Sequence, residues 1–428
     1  MFRRSGSVNS NVPTLMVRGI FSIGASVEEA ANLYTFSVRI AYCTNVRLPS
    51  ERAHGHQIAK VTQALRASGH DVEIFAPYRK NIIDQSFAAY YGLSSSVRLH
   101  QLGAIDGIAA WWAPGVMGLK LTTFLFSRIL KRILSRRCCE FDLLYTRTPE
   151  LLSMLSTLSI PLILELHRIP RLGRRRFLKH VRSCKLIVAL TSPMRQALID
   201  LGISDIPVIA EGDGVDLHDF DALPDPADTR VSLGVPAGVP LVVYAGQLQS
   251  MGLSKGIPEL LGAFDVLQKR GLEFRAVIAG GPDDVKQRFK EELPASLHAS
   301  VQFPGHLPHL KIPTLLAAAD VLVYPAPKSL HPFYVRDTSP LKMFEYMAAC
   351  KPIVSADLPP IRDILDESMA AFCPPGNSEA LADAIRAVLE DPDGSMKKAR
   401  LARVRVEQFT WEKRMERILG AARLPLSC

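Results

Sequence analysis

The chain of 428 residues carries 51 Lys/Arg against 42 Asp/Glu, a net charge of +9, with 48% hydrophobic and 22% charged residues. That describes a soluble globular chain with enough length for two cores, and the absence of any apolar run of about 18 residues excludes a membrane-crossing helix. The charge is uneven, with 27 Lys/Arg and 17 Asp/Glu in residues 1–220 against 24 and 25 in the rest, so an acidic partner is expected at the first half.

In chain order, residues 1–37 are rich in Ser, Asn and Gly, with Arg18 interrupting their apolar patch. They read as a disordered extension, or as a start codon placed early with Met16 as another candidate, and not as a signal peptide. Residues 38–222 are expected to form a first domain. Its β-rich runs are 38–46, 71–77, 141–147, 161–167, 184–190 and 206–212. Residues 223–404 form a second domain, with runs at 240–246, 273–281, 319–327 and 351–357, after the Pro/Asp-rich linker 223–228. Strands alternating with helical patterns predict an α/β chain of two doubly wound parallel sheets, with ligands at the strands' carboxyl ends.

Several local patterns bear on chemistry. In Leu48–Gln57 the turn glycine Gly55 would let backbone amides approach an anion. His54 is taken as a cleft residue and His56 as a surface histidine, and no third ligand marks a metal. Leu119–Arg137 is amphipathic, with Leu121, Leu125, Ile129 and Ile133 expected on the core side. Lys120, Arg128, Lys131, Arg132 and Arg136 crowd the other side, and a basic cluster follows at 171–182. These two segments are candidates for peripheral contact with an anionic membrane face, or for an ordinary domain helix with a solvated basic side. Pro161–His167 ends on His167, two residues after Glu165, so both share one face. Tyr244–Gly256 leaves a strand through Gly246 and reaches Lys255, a lysine suited to a diphosphate. Gly280 and Gly281 end another strand and permit close backbone approach. Phe409–Leu419 predicts a helix capped by Thr410, with Trp411, Met415 and Ile418 on one face. Seven cysteines without a CxxC pair read as reduced thiols of a cytoplasmic protein, with no zinc site.

The most informative stretch is Asp337–Pro359. Ser339 is a suitable N-cap, Pro340 suits a first turn, and Leu341, Phe344, Met347 and Ala348 recur at helical spacing. The helix N-terminus and Lys342 in its first turn would receive a phosphate, with Glu345 one turn on and Asp337 in the loop before.

That stretch resembles the donor-binding signature of retaining GT-B glycosyltransferases, in particular glycosyltransferase family 4. The family has an acidic residue, seven others, then Glu, matched here by Asp337 and Glu345 with Asp in the first place. The resemblance implies a nucleotide-sugar donor, a ribose contact at Glu345 and a donor-sugar contact at Asp337. It places His167 near the reacting sugar and backbone groups around His306 and Leu307 against the base. Where the family usually has Arg directly after the glycine, this chain has Gln247. The terminal helix, within 405–428, is implied to cross back onto the first domain. The family's proposed mechanism uses the leaving diphosphate to take the acceptor's proton, so no metal and no cofactor beyond the substrate is expected. Alternatives are a non-catalytic nucleotide-sugar binder and a nucleotide-sugar epimerase of the same fold. A phosphorylase lacks a pyridoxal-lysine motif here. A basic nucleic-acid-binding protein has only the charge in its favour, and no nucleic-acid partner is expected.

Overall fold

The structure is a computed structural model describing residues 37–94, 97–103, 116–250 and 252–423. The expectation for residues 1–36 lies outside the described residues.

Two parallel sheets organise the chain. The first contains β1 (Arg39–Cys43), β2 (Asp71–Pro77), β3 (Arg98–Leu102), β4 (Leu143–Thr146), β5 (Leu162–Leu166), β6 (Leu186–Ala189) and β7 (Val208–Ala210). Its order is β3-β2-β1-β4-β5-β6-β7. The second contains β8 (Leu241–Ala245), β11 (Arg275–Ala279), β12 (Val301–Gly305), β13 (Val321–Tyr324), β14 (Ile353–Ala356) and β15 (Ala371–Cys373), in the order β12-β11-β8-β13-β14-β15. A two-stranded hairpin, β9 (Gln249–Ser250) with β10 (Leu253–Ser254), stands between β8 and the next helix. This explains the long connection to Lys255.

Strand order reverses between β1 and β4 and again between β8 and β13, the two switch points where side chains and loops can diverge around a ligand. The strands β1, β4, β5 and β6 read as near-continuous apolar runs because both of their faces are covered. The runs absent from the sequence reading are β3, β12 and β15. All three are sheet edges, partly exposed, and so carry no unbroken apolar pattern.

Six helices frame the cleft: α1 (Ala53–Ala67), α2 (Val116–Arg136), α3 (Arg174–Val181), α4 (Ile257–Lys269), α5 (Leu341–Ala348) and α6 (Trp411–Ala422). Thr410 caps α6 by accepting from the Lys413 amide. The apolar face of α6 (Trp411, Met415, Ile418, Ala422) packs with Ile58, Val61 and Leu65 of α1 on one side of the first sheet. Helices α2 and α3 lie together on its other side. On α2 the buried row is Phe126, Leu130 and Leu134, one position round from the expected stripe. Leu121, Leu125, Ile129 and Ile133 are only half-buried, because the Phe126 row reaches the sheet first.

Candidate active site

On the first domain, strand alternation points Glu165 and His167 of the β5 end to the same side. Glu165 is wholly buried and collects four donors. His167 Nε2 lies at 2.6 Å and Arg414 of α6 at 3.0 Å, while the Tyr145 hydroxyl and the Gln57 amide donate as well. Burial works to raise the Glu165 carboxyl, but Arg414, with His167 and Arg147, holds it well below the usual range. Burial, aided by Arg147, lowers His167 to about 4. At neutral pH the neutral ring donates from Nε2 and keeps Nδ1 as an acceptor toward the cleft side of the strand end. His54 is also lowered to about 4, by burial and then by Arg147, and its Nε2 stands 3.4 Å from Ser50 Oγ. Arg147 ties this wall together, donating to the Gln57 side chain at 2.6 Å and to the His54 carbonyl at 3.3 Å.

Gly55 does not offer its amide to an anion. That N–H is spent on the Arg52 carbonyl at 2.9 Å, and an added Cβ would lie 2.1 Å from the Tyr91 hydroxyl. The glycine is needed because Tyr91 packs there and bonds both backbone groups of Ser50.

On the second domain, Gly246 and Gly280 both have φ of +144°. A Cβ on Gly280 would come within 1.8 Å of the Gly246 carbonyl oxygen, and one on Gly246 within 2.6 Å of Lys342 Nζ. Two strand ends and a lysine thus converge where only glycine fits. Gly281 has room, and its carbonyl accepts from Leu248. Lys342 donates to the Tyr244 hydroxyl at 2.6 Å and lies 3.8 Å from that ring's centre. Lys255 sits 4.0 Å from the centre of the Phe333 ring. Burial lowers Lys255 to about 8. It drives Lys342 well below the ordinary lysine range, with Lys255 adding to the effect. Both lysines line one cavity with Thr338. Gln247 is exposed, and only its carbonyl is engaged, by Tyr244.

Helix α5 begins one residue later than expected, with Pro340 as N-cap and Leu341 first in the helix. Ser339 is not the cap, because its hydroxyl accepts instead from the Asp213 amide at 2.8 Å, joining the segment between the sheets to the helix start. Asp213 is buried, and burial pushes its carboxyl up to about 6 against the opposing pull of Arg414. Asp337 is gripped by its neighbour Arg336, at 2.6 Å and 3.1 Å. Glu345 accepts from His309 Nε2 at 3.1 Å. His306 is exposed after β12 and Leu307 is half-buried. His56 is not a free surface residue, since its ring centre lies 4.6 Å from that of His309.

The sequence reading missed His309, Arg414 and Arg147. Arg414 had a signal, because it falls on the apolar face set by Trp411, Met415 and Ile418, where an arginine needs a buried acid. His309 had none, since its partners come from helices far away in sequence.

Comparison with known proteins agrees with this geometry. Residues 226–405 match the model for glycosyl transferases group 1, and residues 55–218 match that for Glycosyltransferase Family 4. Over 237 residues the chain is 26% identical to glycogen synthase of Mycobacterium tuberculosis, covering 54% of this chain and 52% of that one. Over 263 residues it is 26% identical to D-inositol 3-phosphate glycosyltransferase of Kineococcus radiotolerans, covering 57% and 58%. The chain thus spans about half the length of the curated relatives it matches. Among solved structures, Anabaena HepE in complex with UDP superposes with a TM-score of 0.65 at 18% identity, covering 89% of this chain and 98% of that one. A glycosyltransferase from Rickettsia africae gives 0.69 at 15%, covering 90% and 98%. With two doubly wound domains, a glycine-lysine pocket and both halves matched, the chain belongs to the GT-B glycosyltransferases of the family 4 type.

Proposed function

We propose that the chain moves a glycosyl group from a nucleoside diphosphate sugar to a hydroxylated acceptor, retaining the anomeric configuration and using no metal. The observation that carries this reading is the pair of desolvated lysines, Lys255 and Lys342, whose nearest groups are aromatic. Two cations taken from water without a carboxylate call for an anion of two charges or more, and a diphosphate supplies it. The opening amides of α5 add partial positive charge at the same place. As the bond from the anomeric carbon to the diphosphate oxygen breaks, the lysines neutralise the leaving group. The acceptor oxygen bonds to that carbon on the same face, and its proton passes to the diphosphate. Glu345 holds the ribose, and neutral His167, fixed by Glu165, orients a hydroxyl of the sugar or acceptor. The relatives named for UDP-glucose, glycogen and inositol phosphate support the donor class and differ in acceptor.

For the acceptor, the outer side of α2 and α3 favours a molecule presented at an anionic membrane face on the cytoplasmic side. Met117 and Phe124 are 71% and 55% exposed beside Lys120, Arg128 and Lys131. The same face continues to exposed Leu172 and Arg174–Arg176. A second reading, a nucleotide-sugar binder without turnover, has one observation in its favour: Asp337 is already engaged by Arg336.

The test is a calorimetric panel of UDP, GDP, ADP and dTDP with their sugar conjugates, in EDTA, on wild type and Glu345→Ala. One nucleotide should bind without metal, and its donor turnover should fall by on the order of 10²-fold in the variant. Binding to none, or turnover that EDTA abolishes and Mg²⁺ restores, would overturn the proposal. Binding without sugar transfer or hydrolysis would favour the second reading.

A further inference from the structure

Glu345 does not stand alone at the cleft. His309, on the turn after β12, donates from Nε2 to Glu345 Oε1 at 3.1 Å. On the far side of the His309 ring lies His56 of α1, from the first domain, with centroids 4.6 Å apart and planes tilted by 33°. The three side chains form a chain that starts on the first sheet's helix and ends on the donor helix. We propose that His309 is a positioning residue for Glu345, and that His56 clasps it from across the cleft, so that closure of the first domain governs the ribose side of the donor site.

Three observations carry this. The bond uses one carboxylate oxygen of Glu345 and leaves the other to accept from a ribose hydroxyl, so the imidazole orients the acid without occupying its second acceptor. Charge favours the arrangement: Glu345 raises His309 above its ordinary range, mainly through this bond, whereas burial lowers His56 to about 3. The ring stacked on the protonated His309 is therefore neutral, and no like charges meet. The groups facing His309 are Glu345 from α5, His56 and Lys60 from α1, and Asp219 from the segment between the sheets. Lys60 is itself neutralised by Asp216, so the one strong influence is Glu345. The protonated pair is present below the raised pKa of His309 and is lost as pH rises through it.

The inference rests on the reading of Glu345 as the ribose contact, and the test separates the two. Histidine-labelled protein is titrated by NMR without any nucleotide. The His309 signal should titrate above an ordinary histidine, and should shift downward in Glu345→Gln; an unshifted signal overturns the clasp whatever the donor site proves to be. Nucleoside diphosphate affinity is then measured by calorimetry from pH 6 to 9, with UDP, GDP, ADP and dTDP as probes. His309→Ala should weaken binding by about tenfold at pH 6.5, the loss of one charge-assisted hydrogen bond. His309→Gln, an uncharged donor, should restore most of it while removing the pH dependence. His56→Ala should weaken binding severalfold although it lies on the other domain, and His56→Phe, which keeps the stack, should recover it. Equal or tighter binding in His309→Ala would show that the imidazole competes with ribose and would overturn the positioning role. If wild type binds no probe, the donor reading fails while the NMR result still decides the clasp.

Discussion

Lys255 and Lys342 show how far a residue's chemistry depends on its surroundings. In the sequence each is a cation near a glycine; in the fold each faces an aromatic ring and has lost much of its hydration. With Lys255 lowered to about 8 and Lys342 lowered further, a diphosphate that restores their charge must draw protons from solution. Calorimetry at pH 8 in buffers of different ionisation enthalpy should therefore report uptake of about half a proton or more per nucleotide. Buffer-independent enthalpies would sink this account of the lysines. Gly280 makes a separate demand, because its φ of +144° and the 1.8 Å clash leave no space for a methyl group. Gly280→Ala should cost at least about 1–3 kcal/mol, read as a lower denaturant midpoint. At this scale the glycines and lysines could be read from sequence, since each has a conformational or electrostatic reason visible in its neighbours. The part of His309 could not, because a 3.1 Å contact across 36 residues leaves no periodic trace.

Helix α6 is the element that joins the parts. Its apolar positions predicted a packed helix, but its most consequential side chain is Arg414, 1% exposed, which reaches Glu165 and the Gly212 carbonyl. A buried charge whose partner is removed is costly. Arg414→Met should destabilise by about 3–5 kcal/mol, and the double change with Glu165→Gln should recover part of it. A single variant as stable as wild type in urea would refute the pairing. Helix α2 teaches the complementary lesson. Hydrophobic periodicity located the helix, yet the row that meets the sheet is Phe126, Leu130 and Leu134. The sequence carries more apolar faces than the core uses, so periodicity alone could not choose between them. The surplus stays outside with the arginines. It should give co-sedimentation with anionic vesicles that falls with added salt and in the triple Arg→Glu change at 174–176. Binding indifferent to salt and lipid charge would remove the membrane-facing acceptor.

Across the whole molecule the cleft walls hold an unusual set of neutral histidines. His54, His56 and His167 are lowered to about 4, 3 and 4, in each case chiefly by burial. An unfolded histidine titrates near 6.5, so between that value and about 4 the unfolded chain binds more protons. Stability therefore falls as pH drops through this window, by up to about 1.4 kcal/mol per unit for each such group. His309, raised instead, acts in the opposite sense: its contribution is full below 6.5 and lost as pH rises through its folded value. Three groups outweigh one, and urea midpoints should decline from pH 7 to pH 5; a flat profile would contradict the buried, neutral assignments. By itself the amino-acid sequence determined the α/β class, the two sheets, the glycine-lysine loop and the Asp337–Pro359 helix. These are set by local propensity and by apolar runs that both covered faces require. Only the tertiary structure decided that Ser339 serves Asp213 rather than its own helix, that Gly55 makes room for Tyr91, and that His56, His309 and Glu345 meet. Those outcomes depend on which distant groups compete for the same hydrogen bond or volume, and that competition arises only once the chain has packed.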